Sequence, residues 1–546
     1  MANAAQAQSP TAWDYIASIV TVVIKIDNSA LKQMLRRRIP KTLATALLVS
    51  VVATPSLWIF VTLPPLWRDV DAYLQTVYPP GPHTILVHGP LYCTVSRIPL
   101  WLGYLWAGSG PFVSLGQFIE HSELTDAGVS ALILVQHVAL WCGALYLIYA
   151  CAQTLATRLW VALFFATQPL FYSFSQCVGS ETLSLILMLF LAGAGLRLAN
   201  RYPHIAAPDW VAITALLCCY ILTRKINVVF VALLPVTIAL LALQRQFRGI
   251  AVNWRHAMQT WLVCITTSII ALLWATTLTH LFCWRTHTPW RPKIGYTFIW
   301  RLNFLQPMEL PARQRLLNKT AAKCRRLDSR QLISFLGDWL DEHGEWQPGQ
   351  FARDAGSAFY SREKQNADVT FDLALNEVAR GFLVPPAAPL RSVAMRDFDF
   401  ATRHGETEII ESLFASTDYF FDHNDEMPQC AHLRTFSMSR EQLLHLRKRA
   451  YLQWSSFLSF RVWFAVALLL LIIALLLNLT IASGTNTPSA IFAICIAIVG
   501  SVTLLLNSFF SAFGDRFMLP MIESLLIAIL ILLGAVLQSP RSSTPA

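Results

Sequence analysis

Long stretches without a charged side chain constrain this chain more than any other feature. Residues 42–63, 226–243, 258–281 and 488–509 contain no Asp, Glu, Lys or Arg. A helix needs about 20 mainly apolar residues to cross the hydrocarbon core of a bilayer. Only 14% of all residues are charged, against roughly 25% in soluble domains. The sequence therefore predicts an all-α polytopic membrane protein.

The same length criterion predicts about ten transmembrane helices. We place them at 42–63, 127–149, 158–175, 181–198, 209–223, 226–243, 258–281, 460–480, 488–509 and 517–537. The semi-apolar stretch 84–107 is interrupted by Pro90, Arg97 and Pro99, and we interpret it as a loop with interfacial helices. A membrane span at that position would invert the orientation of every helix that follows.

The basic residues between the predicted helices indicate their orientation. With a cytoplasmic N-terminus, 13 Lys and Arg residues lie in cytoplasmic segments and only 5 in the short outer loops. This agrees with the excess of basic residues that cytoplasmic loops carry. The net charge of +10 therefore reflects membrane topology, and since no nucleic-acid-binding motif occurs, we expect no nucleic-acid partner.

This orientation divides the chain into five regions. They are a cytoplasmic interfacial N-terminal segment (1–40), a transmembrane region (41–282) with a first outer loop (64–126), an outer domain (283–457), the C-terminal transmembrane helices (458–538) and a cytoplasmic tail (539–546). Apolar residues recur at three- and four-residue spacing in the outer domain, which predicts a mainly helical structure there. The clearest segments are 330–340, 372–382 and 408–413.

Side chains that could carry chemistry occur at four places, all on the predicted outer side. In the first outer loop, Asp69 and Asp71 stand two residues apart just beyond the first helix. A carboxylate there is a candidate general base for an acceptor hydroxyl, or a candidate cation ligand. The alternative is an ordinary solvated loop end.

Two more places lie at the ends of middle helices. Glu181 begins the fourth predicted helix, where the helix dipole favours a negative charge, and simple capping is the alternative. Arg224 and Lys225 interrupt an otherwise apolar run, a costly placement unless they reach the interface or bind an anion. A plain turn between two helices is the alternative there.

The fourth place is Arg516, which precedes the last predicted helix, with Glu523 seven residues later on the same helical stripe. The planar guanidinium group binds two phosphate oxygens at once, so Arg516 is a candidate ligand for a lipid phosphate. An interfacial anchor is the alternative. Because all four places share one side, we expect an outward-facing site for an anionic, lipid-anchored ligand.

These motifs and their order resemble the GT-C membrane glycosyltransferases, in the branch that includes the protein O-mannosyltransferases and the lipid A aminoarabinose transferases. The resemblance is carried by Asp71-Ala72-Tyr73, His88-Gly89-Pro90-Leu91-Tyr92, Ser180-Glu181, Leu222-Thr223-Arg224 and Arg516-Phe517 with Pro520. It covers about 40–282 and 460–537 and leaves 283–457 unmatched. The family's usual Asp-Glu pair is replaced here by Asp69-Val70-Asp71, so the choice of base stays open.

The resemblance implies a hexosyl- or pentosyltransferase that moves a sugar, with inversion, from a polyprenyl-phosphate donor to an acceptor at the outer face. It implies that Asp71 or Asp69 deprotonates the acceptor, and that cations stabilise the leaving phosphate. The expected donor-binding residues are Arg516, Arg224, Lys225 and Glu181, and the expected acceptor or loop support is Tyr73, His88, Tyr92 and Arg97. No cofactor is implied, and a divalent cation beside the two aspartates is an open alternative.

The expected partners are a polyprenyl-phosphate-linked sugar, a lipid, glycan or protein acceptor, and the lipids of a bacterial inner membrane. Two other functions remain as alternatives. An O-antigen polymerase or ligase would place its key Arg and His residues in a late, large loop. A transporter or flippase predicts charges near mid-bilayer and paired broken helices; only Glu523 and His137 are candidates, and we interpret His137 as a packed core histidine.

Overall fold

The computed structural model describes most of the chain. The described residues are 40–67, 89–422 with short gaps (109, 112, 122–123, 251, 286, 288–289, 291–292, 361–366 and 405), five residues between 465 and 472, 487–510 and 519–538. By its contacts the chain forms two compact units, residues 1–50 and 51–546. The described part of the first unit is 40–50, where the first helix begins, and every contact reported below lies within the second unit.

The first half of the chain is almost entirely helical. Its elements are, in order, α1 (Lys41–Thr62), β1 (Leu66–Trp67), α2 (Pro90–Val95), α3 (Arg97–Trp106), α4 (Leu115–His121), α5 (Asp126–Cys151), α6 (Leu155–Ala166), α7 (Pro169–Ser175), β2 (Cys177–Val178), α8 (Ser180–Arg201), α9 (Ala207–Thr223), a 3₁₀ helix (Lys225–Ala232), α10 (Leu233–Phe247) and α11 (Trp254–Arg285).

The second half contains the helices of the outer domain and two further apolar helices. They are α12 (Ile294–Ile299), a 3₁₀ helix (Trp300–Leu305), α13 (Leu310–Lys323), α14 (Leu327–His343), α15 (Pro348–Tyr360), α16 (Ala367–Leu383), α17 (Ala388–His404), α18 (Glu406–Asp422), α19 (Thr487–Phe510) and α20 (Leu519–Leu537).

Seven helical stretches among the described residues are long and apolar enough to cross a membrane. They are α1, α5, α8, the stretch Lys225–Phe247, α11, α19 and α20. The chain is therefore a mainly helical protein with several candidate membrane spans, while the predicted count of ten is not confirmed. Helix α9 matches the predicted span 209–223 but has only 17 residues, and the predicted span 460–480 lies almost wholly outside the described residues.

The prediction of one continuous span at 158–175 is wrong. The chain forms two short helices there, α6 and α7, because Pro169 begins the second one. A residue before proline is disfavoured in the helical region, and Gln168 is extended, with φ −96° and ψ 101°. The stretch 84–107 contains two short helices, α2 and α3, and neither has the length of a membrane span.

The helices meet at two opposite ends of a bundle. At the first, which we call the site end, β1 pairs in parallel with β2, so that Leu66 faces Cys177. At the other end the Gln538 amide donates to the Cys151 carbonyl at 2.7 Å, and Ser489 donates to Asn200 at 3.2 Å. The start of α8 and the ends of α1 and α7 therefore lie together at the site end.

The region 283–457, predicted as the outer domain and called by that name below, is mainly helical in its described part, and the three segments named from spacing fall in α14, α16 and α18. It has its own apolar core, in which Phe298, Phe304, Trp339, Phe351 and Phe382 are buried together. The domain also contacts the site end, because the hydroxyl of Thr417 accepts the backbone N–H of Trp67 at 3.1 Å.

A buried ion pair fixes α17 to the rest of this domain. Arg301 is fully buried and its Nη1 lies 2.6 Å from the Asp397 carboxylate. Burial lowers the pKa of the Arg301 guanidinium, and the Asp397 carboxylate opposes that shift. Removing one member of a buried pair leaves the other charge uncompensated, which is strongly destabilising.

We therefore expect Asp397→Asn to lower the free energy of unfolding by about 3 kcal/mol, measured as a lower thermal midpoint of the purified full-length protein in detergent. The matched control is Asp341→Asn, which removes a surface partner of Arg313 and should cost less than about 1 kcal/mol. Equal stability of the two variants would contradict a structural role for the buried pair.

Candidate functional site

The centre of the candidate site is an ion pair between two of the four predicted places. Glu181 lies in the first turn of α8 and is fully buried. Arg224 is extended, with φ −150° and ψ 132°, between α9 and the 3₁₀ helix at Lys225–Ala232. Its Nη2 lies 3.7 Å from Glu181 Oε1, and its side chain is only 11% exposed. The structure therefore brings the Ser-Glu and Leu-Thr-Arg motifs together.

This ion pair has unused hydrogen-bonding capacity. At 3.7 Å the contact is electrostatic and too long for a hydrogen bond. Both carboxylate oxygens of Glu181 and the Nη1 of Arg224 are buried and have no hydrogen-bond partner among the described residues. The position of Glu181 in the first helical turn favours its negative charge, but it does not satisfy these atoms.

The start of α8 is held by the first outer loop. The hydroxyl of Tyr92, in α2, accepts the backbone N–H of Gly179 at 3.0 Å and donates to Gln136 Oε1 at 3.2 Å. The Gln136 amide in turn donates to the carbonyls of Ser175 and Cys177, both at 3.0 Å. Burial raises the pKa of Tyr92 well above its ordinary value, so the group remains a neutral phenol that can donate and accept.

A second polar chain links the site to the last helix. Tyr220, in α9, donates to Glu523 Oε1 in α20 at 3.2 Å. The Asn227 amide donates to the Tyr220 carbonyl at 2.8 Å and to the Ser184 hydroxyl at 3.0 Å. Ser184 lies three residues after Glu181, on the same face of α8. Four helical segments therefore contribute polar side chains to one buried cluster, which we call the polar cluster: Glu181, Ser184, Tyr220, Arg224, Asn227 and Glu523.

Gly89 brings the first outer loop close to this cluster. Its φ of +94° is a conformation that side-chain-bearing residues rarely adopt. A Cβ at this position would lie 2.4 Å from the Leu222 carbonyl oxygen and 3.0 Å from that of Thr223. The loop backbone therefore lies directly against the end of α9, next to Arg224, and only glycine permits that approach.

The remaining predicted site residues are placed as follows. Lys225 is exposed and has no ion pair with a described acidic residue, unlike Arg224. Arg97 is buried and its Nε donates to the Cys93 carbonyl at 2.9 Å, a contact that stabilises the loop helices. The predicted residues that lie outside the described part of the chain are Asp69, Asp71, Tyr73, His88 and Arg516.

Three members of the polar cluster were not predicted from the sequence: Ser184, Tyr220 and Asn227. The sequence does contain an indication of two of them, because Tyr220, Arg224 and Asn227 follow one another at four- and three-residue spacing within apolar runs. Single polar residues in such runs are common, so their spacing becomes informative only beside the charge of Arg224.

His137 is a structural residue, in agreement with its interpretation as a packed core histidine. The Gln176 amide donates to the Leu63 carbonyl at 2.8 Å, so its Oε1 accepts from His137 Nε2 at 2.9 Å. The other ring nitrogen, Nδ1, is then free to accept from the Ser56 hydroxyl. The proton on Nε2 is thereby assigned, and both ring nitrogens have partners within the protein, which leaves neither for a ligand.

Within the described residues no group of three His, Cys, Asp or Glu side chains is arranged to hold a metal ion. Comparisons of the chain with protein-family models, with curated proteins and with solved structures found no match. The polar cluster is thus the feature of the described structure on which a functional interpretation rests.

We expect Gly89→Ala to displace the first outer loop from α9. Overpacking costs about 1–3 kcal/mol, in addition to about 1–3 kcal/mol for a backbone conformation, φ +94° and ψ 147°, that is rare outside glycine. Thermal unfolding of the full-length protein measures the loss. Gly108→Ala is the matched control, because Gly108 also has a positive φ, +60°, but nothing lies within 4 Å of its added Cβ. An equal loss in both variants would contradict the close contact.

Proposed function

We propose that this protein is a membrane glycosyltransferase that moves a sugar from a polyprenyl-phosphate donor to an acceptor at the outer face of the membrane. The observation that carries the proposal is the contact between Glu181 and Arg224. These residues belong to separate motifs of the GT-C pattern, 43 positions apart in the sequence, and each motif alone has an ordinary structural explanation. A shared buried location is what a common substrate site requires.

The proposed reaction is a single displacement. A carboxylate, Asp71 or Asp69, takes the proton of the acceptor hydroxyl, and the hydroxyl oxygen attacks the anomeric carbon of the sugar. The bond from that carbon to the phosphate oxygen breaks, and polyprenyl phosphate leaves with one more negative charge than it had in the donor. A cation beside that phosphate stabilises the developing charge, and Arg224 Nη1, buried and unpaired among the described residues, is suited to this role.

The membrane setting fits this substrate class. A polyprenyl chain occupies the hydrocarbon region, so its phosphate lies where apolar helices end and polar side chains begin. We assign that transition to the site end, because Arg224 directly follows the last residue of α9. We propose a bacterial inner membrane as the location, with the outer domain shaping the pocket for a lipid, glycan or protein acceptor.

A transporter is the second candidate, and Glu523 is the observation that favours it. This residue is fully buried within an apolar helix, and its Oε2 has no hydrogen-bond partner among the described residues. Buried acidic groups in membrane spans often mark ion or proton pathways. A transporter would leave the glycans of the cell envelope unchanged, whereas a glycosyltransferase would alter them.

We expect Asp71→Asn to lower glycosyl transfer by roughly 10²–10⁴-fold, because an amide cannot act as a general base. The measurement is mass spectrometry of envelope glycolipids and glycoproteins from cells with the native gene, without it, and with the variant. Asp69→Asn, two residues away, tests the alternative base, and the variant that loses transfer identifies the base. Native product levels in both variants, at equal amounts of membrane-inserted protein, would contradict the assignment of the base to this loop.

A further inference from the structure

The polar cluster contains two carboxyl groups but only one cation among the described residues. Glu181 and Glu523 are both fully buried, and the charged group that acts on both carboxylates is Arg224. The other polar members, Ser184, Tyr220 and Asn227, are neutral. If both carboxylates are ionised, one negative charge in a buried region is therefore uncompensated, and a buried charge is retained only where a partner compensates it.

The hydrogen-bonding groups show the same imbalance. Among the described residues, four buried acceptor atoms of the cluster have no donor: both carboxylate oxygens of Glu181, Oε2 of Glu523 and Oδ1 of Asn227. One buried donor, Nη1 of Arg224, has no acceptor. Each unmatched buried group costs about 1–3 kcal/mol, and native proteins contain few of them. Such a concentration indicates atoms that are satisfied by a ligand.

This imbalance distinguishes between parts of the donor. A phosphate group brings only acceptors and negative charge, so it matches Arg224 Nη1 but offers no hydrogen-bond donor to the oxygens of Glu181 and Asn227. A sugar ring brings several hydroxyl hydrogens, which are the donors that the four acceptor atoms lack. Hydrogen bonds from a neutral donor to a carboxylate are also stronger than those between neutral groups.

We infer that the polar cluster binds the sugar ring of the donor, whose hydroxyl hydrogens are donated to Glu181 and Asn227, while Arg224 Nη1 binds an oxygen of the adjoining phosphate. This inference rests on the proposed function and gives Glu181, which was expected only to bind the donor, a specific contact with the sugar. Glu181 selects the glycosylated donor over the spent polyprenyl phosphate, so it favours release of the product after transfer.

The test compares ligands on the purified full-length protein in detergent, without any variant. The probes are farnesyl phosphate and farnesyl phosphates that carry glucose, mannose, galactose, N-acetylglucosamine or arabinose. We expect at least one glycosylated probe to bind about tenfold more tightly than farnesyl phosphate, the gain expected from one or two hydrogen bonds to a charged group. Equal or weaker binding of every glycosylated probe would overturn the inference.

Two variants separate the roles of the charged residues. Glu181→Gln should lower the affinity for the glycosylated probe about tenfold. The affinity for farnesyl phosphate should stay equal or rise, because Arg224 loses its competing carboxylate. Arg224→Gln should lower the affinity for both probes. The matched control is Glu309→Gln, which changes an exposed glutamate of the outer domain and should change neither affinity. Equal weakening of both probes by Glu181→Gln would show that Glu181 only holds Arg224, and would overturn the inference.

The outcomes also separate this inference from the proposed function. If all farnesyl phosphates bind equally and envelope glycans still depend on the gene, the sugar assignment fails and the transferase proposal stands. If no farnesyl phosphate binds and envelope glycans do not change, both fail. Binding of the farnesyl phosphate probes to the native protein tests the inference even if a variant does not fold.

Discussion

A buried contact between opposite charges organises the end of the helix bundle where chemistry is expected. Glu181 is fully buried at the start of α8, and Arg224 meets it from the turn after α9. Desolvating either charge alone costs several kcal/mol, so each residue requires the other. The pairing links the start of α8 to the end of α9, and it does so without satisfying all of its own hydrogen-bonding groups.

The other polar contacts at the site end extend this arrangement. Tyr92 and Gly89 hold the first outer loop against β2 and the end of α9, and Tyr220 reaches Glu523 in the last helix. The described residues that flank the Asp69 and Asp71 segment, Trp67 and Gly89, both lie at this end. A ligand bound at the polar cluster would therefore contact elements from the first loop, the middle helices and the last helix at once.

Much of the fold could be predicted from the sequence, because apolar runs of membrane length have few alternatives to helix. The error at 158–175 came from applying that rule across Pro169. The helix is interrupted there, and a hydropathy average does not detect the interruption. The charge pattern predicts that Glu181 and Arg224 lie on the same side, but it does not predict their contact, since that depends on how α8 and α9 pack. The partners Tyr220 and Asn227 are single polar residues in apolar runs, and only the structure shows that they face one another.

The most direct test is a double-mutant cycle on thermal stability with Glu181→Gln, Arg224→Gln and the double variant, in the full-length protein. If the two side chains form one buried pair, each single change leaves an uncompensated charge, and the double variant should be more stable than the sum of the single losses by about 1–3 kcal/mol. Losses that add to within about 0.5 kcal/mol would mean that the residues do not interact, and would contradict the site.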